Sequence, residues 1–432
     1  MIRYSIIIPV YKDEKIAENA VLSLAKQFRT TKEENKKYAD WTIECVIVND
    51  SPDVDMSGLV DTFNKYKRCD DWTCKYIVMD SNQGEGNARK LGIKECTGDY
   101  FFLQDADDMY GPNCVSKCNE IIVTESEKGN KISMVEYPFT SFDVGYTHII
   151  ESYSIWVQGR VYNKDFVVSH DIFSTDLSSR AGADYNFMSK LHGIQDYYDR
   201  TFQKEMGKNP EAKPEWVRVM ANQEQAYTWN VWYPSDSQTR KCNFWGDLIC
   251  PKTVLNGLDA VEFLRTFEES KGETKERREF WKHDILNKAC YNFINLHSIL
   301  RQCTVSKDWE DKVTNVDNIS GEDNNTVFYE LFKKAFIGTS DLMREYIDEI
   351  WDMDIWTTME GVWNRSDCHK AMPWLDFRTF VEDPHKLGIF DFNNMKELIA
   401  FCKSEYSFDQ NGYPLHAGPY KKFIEAQKCG KR

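Results

Sequence analysis

The sequence places its most distinctive chemistry at the end of an apolar run. Residues 100–108 read YFFLQDADD, so a strand-like segment leads directly into Asp105, Asp107 and Asp108. Carboxylates are rarely buried without a partner, and closely spaced ones offer hard oxygen ligands to Mg²⁺ or Mn²⁺ at the carboxyl edge of an α/β sheet. The alternative is an acidic turn, because Asp is a common turn residue. Taken alone, the run favours the turn.

Two earlier apolar runs also end in residues with binding chemistry. The segment YSIIIPVY at 4–11 ends in Pro9 and Tyr11, and apolar residues with helical spacing follow it. The segment TIECVIVND at 42–50 delivers Asp50 to its carboxyl end before a Ser-Pro turn. Strand, polar turn and helix in succession predict an α/β fold with a mostly parallel sheet.

A third strand-like run, at 75–79, precedes NQGEGNARKLGI at 82–93. Two glycines permit a tight loop before a helix that carries Arg89. Arg89 occupies the third glycine position of the dinucleotide-binding pattern G-x-G-x-x-G, so that match is weak.

These motifs, PVY at 9–11, NDSPD at 49–53, NQGEGNARKLGI at 82–93 and GDYFFLQDADD at 98–108, resemble in order and spacing the nucleotide-sugar half of family-2 glycosyltransferases of the GT-A fold. The resemblance implies that the base and ribose of the donor are bound by residues of these motifs, namely Pro9, Tyr11, Asp50, Asn82, Gly84, Arg89 and Asp105. It also implies that Asp105 and Asp107 hold Mn²⁺ or Mg²⁺.

Alternatives stay open for three of these residues. Pro9 and Gly84 are equally suited to shaping turns. Arg89 is equally suited to a structural ion pair with Asp50, beside which the family pattern places it.

A catalytic base is implied further along the chain. The segment AGADYNF at 181–187 resembles the family's G-E-D-x-x-F element, whose Asp is the base, and this assigns the role to Asp184. An acceptor hydroxyl has a pKa far above 7, so a positioned carboxylate must remove its proton as the new bond forms. Ala183 stands where the family usually has Glu. The alternative is that Asp184 caps a helix over 185–191.

Two weaker matches concern the acceptor and the diphosphate. WVQGRVYN at 156–163 resembles the segment that borders the acceptor site, which implicates Trp156, Gly159 and Arg160. Arg240, with its neighbour Lys241, resembles a phosphate clamp, because guanidinium groups suit bidentate phosphate contacts. Solvated surface charge is the better interpretation of that basic pair.

The length and the motif distribution predict two domains. Residues 1–245 carry every motif and are expected to form the GT-A domain. Residues 246–432 show apolar residues mostly at helical spacing, which predicts a mainly helical domain. It contains an aromatic cluster that is interpreted as core rather than as a glycan-stacking surface; its members are Trp351, Trp356, Trp363 and Trp374, with His369 beside them.

Charge and hydropathy limit the partners. The net charge of −15 argues against a nucleic acid acceptor, which normally requires a basic face. No segment has the apolar length of a membrane span, and the chain enters a strand without a signal peptide, so a cytoplasmic location is expected. The short basic tail at 421–432 leaves a peripheral membrane contact open. Thirteen cysteines without a C-x-x-C pair indicate reduced thiols.

The sequence therefore predicts a metal-dependent glycosyltransferase that moves a sugar from a nucleotide-diphospho-sugar to a hydroxyl of a glycan, a polymer or another acceptor. Inversion and a UDP-sugar donor are implied by the resemblance alone. Two alternatives remain: a nucleotide- or glycan-binding protein with a degenerate site, and a nucleotidyltransferase. The segment PVYKDEK at 9–15 disfavours the latter, which usually has a glycine-rich basic loop near its start.

Overall fold

The structure is a computed structural model that describes residues 1–12, 14–29, 38–137, 139–143, 146–150, 157–173, 183–221, 227–230, 249–272, 300, 303, 306–314, 324–345, 382–387 and 390–405. The chain forms two compact units, residues 1–237 and 238–432. The sequence placed this boundary after residue 245.

The first unit alternates strands and helices. Its strands are β1 Ile2–Val10, β2 Trp41–Asn49, β3 Thr73–Val78, β4 Tyr100–Leu103, β5 Met109–Tyr110, β6 Ile132–Glu136, β7 Phe139–Asp143, β8 Tyr146–Ile150, β9 Arg160–Asn163, β10 Val217–Met220 and β11 Tyr227–Asn230. Its helices are α1 Glu14–Ala25, α2 Gly58–Tyr66, α3 Glu85–Glu95, α4 Cys114–Glu127, α5 Lys164–Ser169 and α6 Ala183–Met206.

Seven strands form the main sheet, in the order β10-β6-β9-β4-β1-β2-β3. Strand β1 runs parallel to both neighbours, β2 and β4, and β3 is parallel to β2. Strand β9 lies antiparallel between β4 and β6. A second sheet has the order β5-β11-β7-β8. The predicted α/β fold with a mostly parallel sheet is confirmed.

The central strands are nearly continuous apolar runs because helices cover both faces of the sheet. All nine residues of β2 are buried, as are the last seven of β1. Helix α3 packs against this layer at Gly92, where an added Cβ would lie 2.3 Å from Cγ2 of Ile7. Only glycine permits so close an approach, which fixes α3 beside β1.

The strand order makes a crevice at the carboxyl edge of β1. The chain moves from β1 to β2 and β3 on one side, then crosses over to β4 on the other side. Ligands of open α/β sheets bind at such a reversal of strand order. The polar residues that follow β1, β2 and β4 therefore meet at one place.

In the second unit, every element that the structure describes is helical. These are α7 Ile249–Ser270, α8 Lys307–Thr314, α9 Asn324–Glu345, a 3₁₀ turn at Pro384–Leu387 and α10 Met395–Glu405. Helix α9 contributes Phe332 and Phe336 to the core, and Phe336 meets Phe390 edge to face at 5.7 Å. The predicted helical character is confirmed for these residues.

The C-terminal tryptophans and His369 lie outside the described residues. Among the helices that the structure does describe, none combines the length and the apolar character that crossing a bilayer demands.

Candidate active site

Tyr11 and Asp50 lie side by side at the carboxyl edge of the sheet. Val10 and Asn49 are register partners in β1 and β2, and the Asp50 N–H donates to the Val10 carbonyl at 2.9 Å. Tyr11 is 41% exposed, a large aromatic surface at the crevice. Pro9 is buried within β1. The residues predicted to receive a base therefore share one edge, and Tyr11 presents the ring.

The loop before α3 is attached to β2 through Asp50. One carboxylate oxygen of Asp50 accepts the Gln83 N–H at 2.8 Å, and the other accepts the Gly84 N–H at 2.9 Å. Burial raises the pKa of Asp50, and these two N–H groups oppose the shift. Gly84 has φ of +84°, which favours glycine, and the exposed Asn82 accepts a further bond from the Gly84 N–H at 3.2 Å. The loop is thus held in one conformation at the crevice.

Arg89 is the centre of a cluster of carboxylates. Its guanidinium is 5% exposed and donates to Asp105 Oδ1 at 2.5 Å, to Asp184 Oδ1 at 2.5 Å and to Glu85. One positive charge therefore faces three carboxylates that come from three different segments. This arrangement joins the end of β4 to the start of α6.

The proposed ion pair between Arg89 and Asp50 is wrong. The Asp50 carboxylate accepts two backbone N–H groups of the loop that precedes α3. Arg89 lies one turn inside that helix and extends to Asp105 and Asp184 instead. The neighbouring position that the sequence pattern suggested is used by the loop backbone.

Asp184 lies in the first turn of α6, which begins at Ala183. Its carboxylate is bound from another segment by Arg89, and the nearby backbone N–H of Val157 lowers its pKa. The capping alternative therefore does not describe its setting. Burial raises the pKa of Asp184 and Arg89 opposes that shift, while the side chain remains 26% exposed. A partly exposed carboxylate of raised pKa suits a proton acceptor.

Three aspartates after β4 provide the donor set for a cation. Carboxylate oxygens of Asp105, Asp107 and Asp108 all lie within 4.8 Å of one another. Asp105 and Asp107 are partly exposed, whereas Asp108 is buried. Clustered carboxylate oxygens are hard ligands of the kind that Mg²⁺ and Mn²⁺ prefer. The residues present therefore fit the predicted divalent cation.

Sequence reasoning missed two residues of this site. Gln158 donates from Nε2 to Asp105 Oδ2 at 2.6 Å and is 8% exposed. Nothing in the sequence marks this glutamine as a partner of a residue 53 positions away. Glu85 had a usable signal, since it lies four residues before Arg89 on a helix, a spacing that brings side chains together.

The structure describes only part of the segment predicted to border the acceptor. Arg160 is 1% exposed and donates from Nε to Glu136 Oε1 at 2.7 Å, and His192 Nε2 lies 3.2 Å from the same oxygen. This corrects the prediction for Arg160, because a buried paired guanidinium is not at a ligand surface. Gly159 is also buried, with φ of +72°. Trp156, Arg240 and Lys241 lie outside the described residues.

The charges around Glu136, the acidic partner of Arg160, lower the pKa of its carboxyl group. Burial raises the pKa of Glu136, but the hydrogen bond from His192 and the charge of Arg160 outweigh it and lower the pKa to about 2. Glu136 is therefore ionised at neutral pH.

Fold and site together define an α/β protein with a cluster of carboxylates where its strand order reverses. Residues 5–175 match the family model for glycosyl transferase family 2. The predicted resemblance to this family is confirmed for these residues.

A curated relative is an uncharacterized glycosyltransferase from Haemophilus influenzae, 26% identical over 160 residues. The match covers 34% of this chain and 56% of the relative, so the chain spans little more than half of the relative's length.

Among solved structures, S. aureus TarS is similar with a TM-score of 0.47 and 13% identity, covering 94% of this chain and 55% of TarS. TarS 1–349 in complex with UDP-GlcNAc gives a TM-score of 0.42 at 14% identity, covering 81% of this chain and 91% of that one. The mannosyltransferase PcManGT from Pyrobaculum calidifontis, in complex with GDP-Man and Mn²⁺, gives 0.38 at 8% identity, covering 93% and 87%.

Proposed function

We propose that this chain is a metal-dependent, inverting glycosyltransferase that moves a sugar from a nucleotide-diphospho-sugar, with a UDP-sugar as the expected donor, to an acceptor hydroxyl. One observation carries the proposal. Asp105, expected on the donor side, and Asp184, expected as the base, each lie 2.5 Å from a nitrogen of the same buried Arg89. Two carboxylates with different expected tasks thus lie within the span of one guanidinium group.

The donor side is supported by the edge of β1 and β2. The exposed ring of Tyr11 offers a stacking surface to a planar base, and aromatic side chains bind bases in this way. Asp50 is fixed beside it by two backbone N–H groups, and each carboxylate oxygen can accept a second hydrogen bond. A uracil ring carries an N–H donor that suits such an acceptor.

Asp184 supplies the base in the proposed reaction. It takes the proton of the acceptor hydroxyl while the hydroxyl oxygen forms a bond to the anomeric carbon. The bond from that carbon to the nucleoside diphosphate breaks in the same step, which inverts the configuration. Arg89 orients the carboxylate, and Arg89 and the Val157 N–H oppose the rise in its pKa that burial causes.

A divalent cation would be held by Asp105 and Asp107, where it offsets the negative charge on the leaving diphosphate. Arg89 would remain beside this charge as a fixed cation. The residues proposed for the donor and the proposed base therefore share one cation, Arg89.

A panel of UDP-sugars, with and without Mn²⁺, tests the proposal. Transfer of the sugar to an acceptor or to water is detected as released nucleoside diphosphate. We expect release from at least one donor, dependent on Mn²⁺ and lost in Asp184→Asn. Donor binding without any release would support the degenerate binding protein instead. Transfer of a nucleotidyl group to a sugar phosphate would support a nucleotidyltransferase.

A further inference from the structure

The four residues 157–160, here called the bridge segment, bind one carboxylate of the proposed reaction and lie beside the other. The backbone N–H of Val157 lies close enough to Asp184 to lower the pKa of that carboxylate. The side chain of Gln158 donates from Nε2 to Asp105 Oδ2 at 2.6 Å. One short stretch of chain thus lies at the donor side and the base side at once.

Arg89 and the bridge segment together restrict the orientation of the Asp105 carboxylate. Arg89 donates to its Oδ1 at 2.5 Å, and Gln158 donates to its Oδ2. Because both oxygens are engaged from different directions, the carboxylate plane cannot rotate without breaking a bond. Hydrogen bonds of this kind orient carboxylates that bind cations.

Buried contacts fix the segment itself. The Tyr162 hydroxyl donates to the Val157 carbonyl at 2.6 Å, and the Tyr137 N–H donates to the Gly159 carbonyl at 2.9 Å. Gly159 has φ of +72°, a conformation that glycine adopts at little cost. The backbone turn therefore has one defined shape.

A buried ion pair anchors the end of the segment. Arg160 on β9 and Glu136 on β6 are register partners, and their side chains are 1% and 2% exposed. Arg160 also donates to the Gln158 carbonyl at 3.4 Å. The guanidinium thus connects the turn that carries Gln158 to Glu136 on strand β6.

We propose that the bridge segment sets the relative positions of Asp105 and Asp184, with Gln158 as the positioning residue of the donor side and the pair of Arg160 with Glu136 as its anchor. This inference rests on the proposed function, because it assigns tasks to both carboxylates. Gln158 touches Asp105 rather than the reacting atoms. Its effect should therefore appear in cation affinity and in turnover, and not in the fold.

Gln158→Met is the test variant, because Met has a similar length and volume but no N–H to donate. We expect kcat to fall by roughly 10- to 100-fold, and the affinity for Mn²⁺ to fall in the same range, as for other partners of carboxylate ligands. Mn²⁺ affinity is measured without turnover, by calorimetric titration of UDP at increasing Mn²⁺. The Tm should stay within a few degrees of wild type.

Gln195→Met is the matched control. Gln195 is a buried glutamine on α6 that bonds Ser133, Asp199 and the Trp216 carbonyl, away from the carboxylate cluster. We expect this variant to lower the Tm while leaving kcat and Mn²⁺ affinity near wild type. The pair of variants separates positioning from general loss of packing.

Wild-type kcat and wild-type Mn²⁺ affinity in Gln158→Met would overturn the inference. Equal losses of kcat in both variants, in proportion to their Tm, would also overturn it. If Gln158→Met fails to fold, Gln158→Asn replaces it, since the amide is retained but is one methylene too short for the 2.6 Å contact. A wild-type protein that turns over no donor refutes the proposed function instead, a result distinct from either variant outcome.

Discussion

Replacing Asp184 by Asn should abolish most turnover and leave the fold intact. Asn has the same shape but cannot accept a proton from the acceptor hydroxyl. Loss of general base catalysis typically costs 10²- to 10⁴-fold, so we expect kcat to fall by about a hundredfold or more. That corresponds to about 2.7 kcal/mol of transition-state stabilisation.

The structure predicts a small effect of this substitution on stability. Arg89 keeps Glu85 and Asp105 as partners when Asp184 loses its charge. Removal of one anion also relieves its repulsion with Asp105, which offsets part of the lost attraction. We therefore expect a change in unfolding free energy within about 1 kcal/mol, although removing one partner of a simple buried pair costs about 3–5 kcal/mol.

Turnover, Tm and calorimetric binding of the UDP-sugar are measured together for this variant. Asp196→Asn is the matched control, because Asp196 lies on the same helix beside Arg218 at 4.0 Å and outside the cluster. Donor affinity should remain near wild type in both variants. Near-wild-type turnover in Asp184→Asn would refute the assignment of the base.

Three other substitutions test separate parts of the account. Asp107→Asn should weaken the Mn²⁺-dependent part of UDP binding in calorimetry, because an amide is a poor ligand for a hard cation, and unchanged Mn²⁺ dependence would contradict the metal assignment. Gly84→Ala should lower stability by about 1–3 kcal/mol, because a φ of +84° strains any residue other than glycine. It should also weaken uridine binding, because the bond from the Gly84 N–H to Asp50 depends on this backbone conformation. A wild-type Tm would disprove this prediction. Glu136→Gln should cost about 3 kcal/mol at pH 7, since the folded-state pKa of Glu136 is lowered to about 2. That contribution to stability is present above the ordinary pKa of glutamate and is lost as the pH falls towards 2. Chemical denaturation should therefore show a smaller difference in unfolding free energy between wild type and variant at pH 3 than at pH 7. An equal difference at both pH values would count against the ion pair.

The sheet and the polar ends of its strands could be predicted from sequence. The runs at 4–11 and 42–50 were expected as strands, and the structure forms Ile2–Val10 and Trp41–Asn49 there. Strands buried on both faces are almost continuously apolar, so their ends are conspicuous where polar residues begin. Parallel pairing then brings those ends to one edge, where Tyr11 and Asp50 lie beside each other.

The partners of the arginines could not be predicted. Arg89 meets Asp184 across 95 residues of sequence, and Arg160 meets Glu136 through an antiparallel strand inserted between β4 and β6. Which charges pair depends on strand order and helix placement, and local patterns do not record either. The sequence identified Arg160 as part of a functional segment, but only the fold shows that its guanidinium is buried.

A crystal structure of the protein with UDP and Mn²⁺ tests the central claim most directly. The account predicts the uracil against Tyr11 and Asp50, the Mn²⁺ on Asp105 and Asp107, and Gln158 still bonded to Asp105. The same structure should show Asp184 open to the acceptor side. Nucleotide bound elsewhere on the protein, Mn²⁺ on other ligands, or no binding at millimolar UDP would contradict the account.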